Sequence, residues 1–267
     1  MSSIDQVFAD LRAANRKAFI PFVTAGDPSL DVTSAVLKEL SKRGSSVCEL
    51  GIPYSDPIAD GPVIQASYTR ALDRKIKLSQ ILEMAGKTTP EMTAPLVTMV
   101  SYAIILRHGP EQYVRDAKAA GVAGAIVPDL LVEESGDFAK ICKANDFSLI
   151  QLVTPTTSRE RALRIAETST GFIYYVSVAG ITGERTQLPA DLLENVSWLR
   201  SQTKVPICIG FGISQPEHVR TLKKVADGVI VGSAIVRRMS EIGEKTEEQV
   251  IAEVGDYAET LIEALNE

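Results

Sequence analysis

The chain has 267 residues, of which 45% are hydrophobic and 23% charged, a balance that excludes wholesale disorder. Its formal charge of -6 excludes a nucleic-acid surface spread over the whole molecule, yet allows a local anion site made by backbone amides. Cys48, Cys142 and Cys208 form neither a zinc-type pair nor an even disulfide framework, so they read as buried free thiols in a reducing compartment. The opening M-S-S-I-D-Q-V-F-A-D lacks the basic start and apolar stretch of a signal peptide, and no apolar run reaches the ~20 residues of a bilayer span. A soluble, cytoplasmic protein is expected.

In chain order, an amphipathic stretch over 4–14 reads as a helix placed before the first strand, which is expected over 18–23. A helix over 31–42 and a strand over 46–50 follow, then a helix from 62 to 74 and another over 78–87. Strands over 95–101, 124–127 and 148–153 are separated by helical patterns at 111–120 and 135–145. Beyond a helix over 158–168, strands at 172–176, 206–210 and 228–231 alternate with helices at 190–202 and 215–225. A last amphipathic stretch, 247–266, closes the chain. The strands are rich in valine and isoleucine without clean alternation, the pattern of strands buried on both faces of a parallel sheet. Eight strand–helix units in one chain of this length predict a single (β/α)8 TIM barrel over 1–267, with an extra N-terminal helix. An open doubly wound sheet is the rival, and no linker or composition break supports it.

A barrel places its chemistry at the carboxyl ends of the strands. The second strand and its loop read S-S-V-C-E-L-G-I-P-Y-S-D-P-I-A-D-G-P. Glu49 lies in an apolar strand, where an ionised carboxylate must be paired, protonated or facing a cavity. It is either a core glutamate satisfied by a neighbouring hydroxyl or lysine, or a proton carrier with a raised pKa. Asp56 and Asp60 follow among Pro53, Pro57 and Pro62. Asp60 could equally open the helix at 62 as a cap, and for Asp56 a local structural role outweighs catalysis.

Near the other end, I-G-F-G-I-S carries Gly210, Phe211 and Gly212 after the seventh strand, and V-G-S-A carries Gly232 and Ser233 after the eighth. Glycine-bearing turns at these two successive places suit a phosphate site. The sixth loop, G-I-T-G-E-R-T-Q-L from 180, holds Thr182 and Gly183 and reads as a lid or a mobile connection. His108 and His218 read as surface positions without a role. No His/Cys/carboxylate cluster has metal-ligand spacing.

P-F-V-T-A-G-D-P after the first strand, C-E-L-G-I-P-Y-S-D-P-I-A-D-G-P-V-I-Q after the second and G-F-G-I-S closely resemble the tryptophan synthase alpha chain. V-P-D-L-L-V-E-E-S around Asp129 and A-G-I-T-G in the sixth loop fit the same family. The resemblance implies retro-aldol cleavage of indole-3-glycerol phosphate to indole and glyceraldehyde 3-phosphate, in tryptophan biosynthesis. It implies Glu49 as acid/base and Asp60 as the carboxylate facing the indole N–H. Phe22, Val100, Ile126, Tyr174, Phe211 and Ile230 would form the indole slot. Thr182, Gly183, Gly212, Gly232 and Ser233 would line the rest of the substrate site, with the glycines and Ser233 on the phosphate.

The resemblance implies no cofactor in this chain. It also implies a beta-chain partner, in an alpha–beta–beta–alpha tetramer, that carries pyridoxal phosphate. Two positions depart from the family pattern: Ile104, where the family often has asparagine near the beta-chain contact, and Val178, often polar there and next to the sixth loop. A free-standing indole-releasing lyase would keep the same site without the partner. A phosphosugar isomerase or synthase on a similar barrel would lack the Glu49/Asp60 pair, and a non-enzymatic scaffold would be expected to have lost one carboxylate.

Overall fold

A computed structural model describes residues 2–57, 60–177, 191–210 and 212–267. The strands are β1 (Ala18–Thr24), β2 (Cys48–Gly51), β3 (Leu96–Met99), β4 (Val122–Ile126), β5 (Ser148–Ile150), β6 (Leu152–Val153), β7 (Ile173–Val176), β8 (Ile207–Gly210) and β9 (Gly228–Val231). All pair in parallel, in the order β5-β4-β3-β2-β1-β9-β8-β7-β6.

The two ends of that order are halves of the predicted fifth strand. β5 pairs with β4, β6 pairs with β7, and Gln151 stands between them. The Gln151 carbonyl still accepts the Tyr174 N–H at 3.0 Å, and its side-chain amide donates to Thr168 Oγ1 at 2.6 Å. The sheet therefore closes into the expected barrel, with the fifth strand interrupted for one residue where it changes partner.

Successive side chains of a strand point to opposite faces, and here both faces are buried. Ile20 and Phe22 of β1 belong to a cluster inside the barrel, with Val97, Met99, Ile126, Tyr174, Cys208 and Ile230. Phe19 and Val23 belong to the layer between strands and helices, with Cys48, Leu50 and Val100. This double burial is why the alternation is invisible in the sequence.

The helices start where the sequence gives them donors' partners or a preset φ. Ser2 and Thr246 build capping boxes for Ser3–Ala13 and Glu247–Asn266, and Ser29 and Ser158 cap Leu30–Lys42 and Arg159–Thr168. Prolines begin Pro62–Asp73, Pro110–Ala119 and Pro216–Leu222. One helix, Tyr102–His108, has no counterpart in the sequence reading. It is only seven residues long and stops at Gly109, φ 93°, directly before the next helix. Ser101, expected within the third strand, is its N-cap.

His218, expected at the surface, is buried in Pro216–Leu222, and its Nδ1 accepts the Ser214 N–H at 3.4 Å. The three cysteines are free and buried, as expected. Among the described residues no helix is long and apolar enough to cross a membrane.

Candidate active site

The helix Pro62–Asp73 controls the carboxyl end of β2, and it is fastened to the end of β1 in two places. Thr24 Oγ1 and Ser67 Oγ share a buried hydrogen bond of 2.7 Å. Arg70 donates from Nε and Nη2 to the two oxygens of Asp27 at 2.8 and 2.6 Å. A two-pronged pair of this kind fixes direction as well as distance. The loop before the helix is braced in turn, because Gln65 Nε2 donates to the Asp60 carbonyl at 2.8 Å. No side chain caps this helix, whose N-cap is Gly61. The Asp60 carboxylate is therefore not a cap, and it faces the pocket.

That pocket lies at the barrel mouth and holds about 470 Å³ of unfilled space, its open end included. Glu49 and Asp60 both line it. Its apolar wall is Phe22 from β1, Met99 from β3, Tyr174 from β7 and Ile230 from β9, with Ile64 and Ile213 from the surrounding segments. Gly212, Gly232 and Ser233 form the remaining side. An apolar slot with a few convergent polar groups is the usual form of a small-molecule site.

Two glycines make room for its rings. A Cβ on Gly51 would lie 2.4 Å from the Phe22 ring, and one on Gly210 would lie 2.3 Å from the Tyr174 hydroxyl. At the other side, Gly212 has φ 75°, a conformation that favours glycine.

Glu49 is 0% exposed, and neither of its carboxyl oxygens has a hydrogen-bond partner among the described residues. The core-glutamate reading needed a hydroxyl or lysine bonded to the carboxyl, and among the described residues neither oxygen accepts such a bond. Burial pushes the Glu49 carboxyl well above its ordinary value, and the nearby Asp60 charge pushes the same way. Burial alone raises Asp60 to about 6. Two carboxyl groups thus sit in one apolar pocket with affinities for protons moved toward neutrality, the arrangement that general acid–base chemistry requires.

The structure thus brings together Glu49, Asp60, Phe22, Tyr174, Ile230, Gly212, Gly232 and Ser233 as expected. Val100 does not join them. It follows Met99 in the chain, so its side chain points to the opposite face, into the layer under the helices. Met99 takes the place expected for Val100. Ile126 is buried in the interior cluster but does not line the pocket.

Met99 was within reach of strict alternation along β3, whereas Ile64 and Ile213 carry no sequence signal separating them from other core isoleucines. Thr182, Gly183 and Phe211, with Val178 and the rest of the 180–188 loop, lie outside the described residues. Asp56 is exposed and accepts from Ser55 Oγ at 3.0 Å.

A second cleft runs beside the mouth between the 54–56 loop and helix Tyr102–His108, with Ile104, Arg107 and Asp129 on its walls. Asp129 holds the start of that helix, accepting from Ser101 Oγ at 2.6 Å and from the Tyr102 N–H at 2.7 Å. Among the described residues no group of His, Cys, Asp and Glu could hold a metal ion.

Residues 8–266 match the family profile of the tryptophan synthase alpha chain. The tryptophan synthase alpha chain of Rhodopirellula baltica is 54% identical, over 100% of this chain and 99% of that one. The crystal structure of the alpha chain from Legionella pneumophila superposes with a TM-score of 0.87 at 33% identity, covering 99% and 97% of the two chains. A chain of the tryptophan synthase complex from Pyrococcus furiosus gives 0.84 at 34% identity, over 93% and 99%. The relationship runs through strands, helices and both carboxylate-bearing segments, and this chain belongs to the tryptophan synthase alpha chain family.

Proposed function

We propose that this chain cleaves indole-3-glycerol phosphate at the barrel mouth, with Glu49 as the acid/base and Asp60 as the carboxylate that stabilises the indole ring while it is positive. The observation that carries this reading is the unpaired, fully buried carboxyl of Glu49 on the wall of an apolar slot. Such a group begins the cycle protonated. It gives its proton to C3 of the indole ring, producing an indolenine cation whose charge reaches the ring nitrogen. Asp60, ionised above about pH 6, faces that N–H and lowers the energy of the cation.

The Glu49 carboxylate then takes the proton of the side-chain hydroxyl next to the ring. The hydroxyl oxygen becomes the aldehyde oxygen, the carbon–carbon bond breaks, and its electron pair restores the aromatic ring. Indole and glyceraldehyde 3-phosphate leave, and Glu49 has its proton back. Phe22, Tyr174 and Ile230 hold the ring plane, and their apolar surfaces keep water from the cation. No step needs a group that this chain's residues do not supply.

The phosphate is assigned to Gly212, Gly232 and Ser233, which line one side of the pocket and carry backbone N–H groups and one hydroxyl to offer it. Gly232 offers a clean test. A Cβ there would come no nearer than 3.5 Å to another residue, and the φ of -110° suits any side chain. Gly232→Ala therefore keeps its melting temperature within about 2 °C, since surface-like changes without strain stay within roughly ±0.5 kcal/mol. It raises KM for indole-3-glycerol phosphate severalfold, because the methyl group occupies space given to the ligand. An unchanged KM would move the phosphate elsewhere.

The cleft beside Ile104 and Asp129 is assigned to the beta chain, in an alpha–beta–beta–alpha tetramer whose pyridoxal phosphate belongs to that partner. Support comes from its position, since one wall is the loop that leads to Asp60, and from the relative found in a tryptophan synthase complex. A docked partner would press on the segment that carries a catalytic carboxylate. Indole release by the purified chain, measured with and without a beta chain, tests both parts. Cleavage should be detectable alone and rise on the order of tenfold or more on docking, as a competent fraction of about 10% or less would give. Failure to release indole under either condition would refute the activity. Full activity unmoved by a beta chain would refute the coupling.

A further inference from the structure

We propose that Tyr68 is a positioning residue of this site, whose hydroxyl donates a hydrogen bond to Glu49 during the part of the cycle in which that carboxylate is ionised. The inference rests on the acid/base reading of Glu49. Tyr68 projects from helix Pro62–Asp73, and its ring is 1% exposed. Only four buried side-chain polar atoms among the described residues have no hydrogen-bond partner: the two Glu49 oxygens, the Tyr68 hydroxyl and Ser45 Oγ. An unpaired buried hydroxyl costs free energy that phenylalanine would avoid, so its presence in a structure with an equally unpaired carboxyl needs a reason.

The geometry supplies one. A Cβ on Gly51 would lie 2.9 Å from the Tyr68 hydroxyl. Gly51 is two residues beyond Glu49 in β2, so both positions face the barrel interior, about 7 Å apart along the strand. The hydroxyl therefore sits over the same stretch of wall from which the Glu49 side chain projects. The residues paired with Glu49 on either side are Phe22 and Val97, and beyond Val97 comes Gly124. None of these has a side-chain donor.

The Tyr68 ring is held by Tyr54, their centroids 5.5 Å apart, and its helix by the Thr24–Ser67 and Asp27–Arg70 contacts. The hydroxyl thus has a fixed approach and, among the described residues, no hydrogen-bond partner that holds it elsewhere. Burial first, then the Asp60 charge, Tyr54 and the Glu49 charge, keep its proton on, so it acts as a donor and not as a second base. Tyr68 does not line the pocket. It acts on the substrate through Glu49.

The test is Tyr68→Phe in the full chain, assayed with the beta chain beside the wild type and Glu49→Gln. Losing a hydrogen bond to an ionised partner lowers kcat by about ten- to a hundredfold, and KM changes less than twofold because the ring wall is untouched. With its ionised form no longer supported, Glu49 holds its proton more tightly, and the alkaline limb of the kcat–pH profile moves to higher pH. The melting temperature stays level or rises, since an unpaired hydroxyl is removed.

Wild-type kcat and an unmoved alkaline limb in Tyr68→Phe, beside an inactive Glu49→Gln, would overturn the inference and leave the assignment of Glu49 standing. A loss of kcat with a fallen melting temperature and an unmoved limb would overturn it too, since packing alone would then explain the residue. An active Glu49→Gln would instead remove the reading on which the inference rests.

Discussion

Glu49→Gln loses at least about a hundredfold in indole release and gains thermal stability at neutral pH. The activity loss follows from removing the one group that both gives and takes the proton, a role typically worth 10²–10⁴-fold. Gln is nearly isosteric, so binding of a substrate analogue persists. A variant that kept more than about a tenth of wild-type turnover would refute the assignment.

The stability gain follows from linkage. The folded-state pKa of Glu49 lies above its ordinary value of 4.5 because burial disfavours the charged form. Below pH 4.5 the carboxyl is neutral in both states, and it costs the folded chain no more than an amide does. As pH rises past 4.5 the unfolded chain ionises while the folded chain holds its proton, so wild-type stability falls until the folded-state pKa is passed. The glutamine variant lacks this term. Its melting temperature should match wild type near pH 4 and exceed it increasingly toward pH 8, by about 2–4 °C per kcal/mol. Scanning calorimetry at the two pH values checks it, and a constant difference would show that the gain is not electrostatic.

The second large effect belongs to Asp60. Asp60→Asn lowers kcat by roughly 10²–10³-fold, the usual loss when a preorganised group facing a developing charge is removed. In the wild type Asp60 must be ionised, so kcat/KM rises with pH through about 6. It falls again at higher pH as Glu49 loses the proton it must deliver. The profile is a bell whose two limbs belong to a coupled pair of carboxyls. Asp60→Asn erases the acid limb and leaves the alkaline one, because the amide does not titrate. An acid limb that survived the substitution would belong to another group.

The sequence carried most of the barrel because its strands are short, β-branched and separated by capped helices. It did not carry the interruption at Gln151. The run from Ser148 to Val153 is continuous in composition, and the break comes from a change of neighbour that only the closed sheet imposes. Helix Tyr102–His108 was hidden by its two turns and by Gly109-Pro110, which read as one loop. His218 was misplaced because proline and glutamate before it resemble a surface helix start, while its ring is turned inward.

At the site, Glu49 and Asp60 stood out because charge in an apolar strand and carboxylate among prolines are locally odd. The apolar wall did not stand out, since every strand residue is buried on one face or the other. One step of register decided between Val100 and Met99. Tyr68 gave no signal at all, because a tyrosine on a helix reads as ordinary core until its hydroxyl is seen without a partner.

The buried cysteines have a practical consequence. Cys208 lies inside the barrel, Cys48 between the strands and the helices, and Cys142 in the outer helix Gly136–Ala144. Burial lifts the thiols of Cys48 and Cys142 to about 12 and pushes that of Cys208 well above its ordinary value. The nucleophile in thiol chemistry is the thiolate, so none of the three reacts while the fold is shut. Each becomes a natural clock for the opening of its own layer, read by the rate at which a soluble disulfide reagent labels it. The chain thus reports its own breathing at three depths, with no label installed and no residue of the pocket altered.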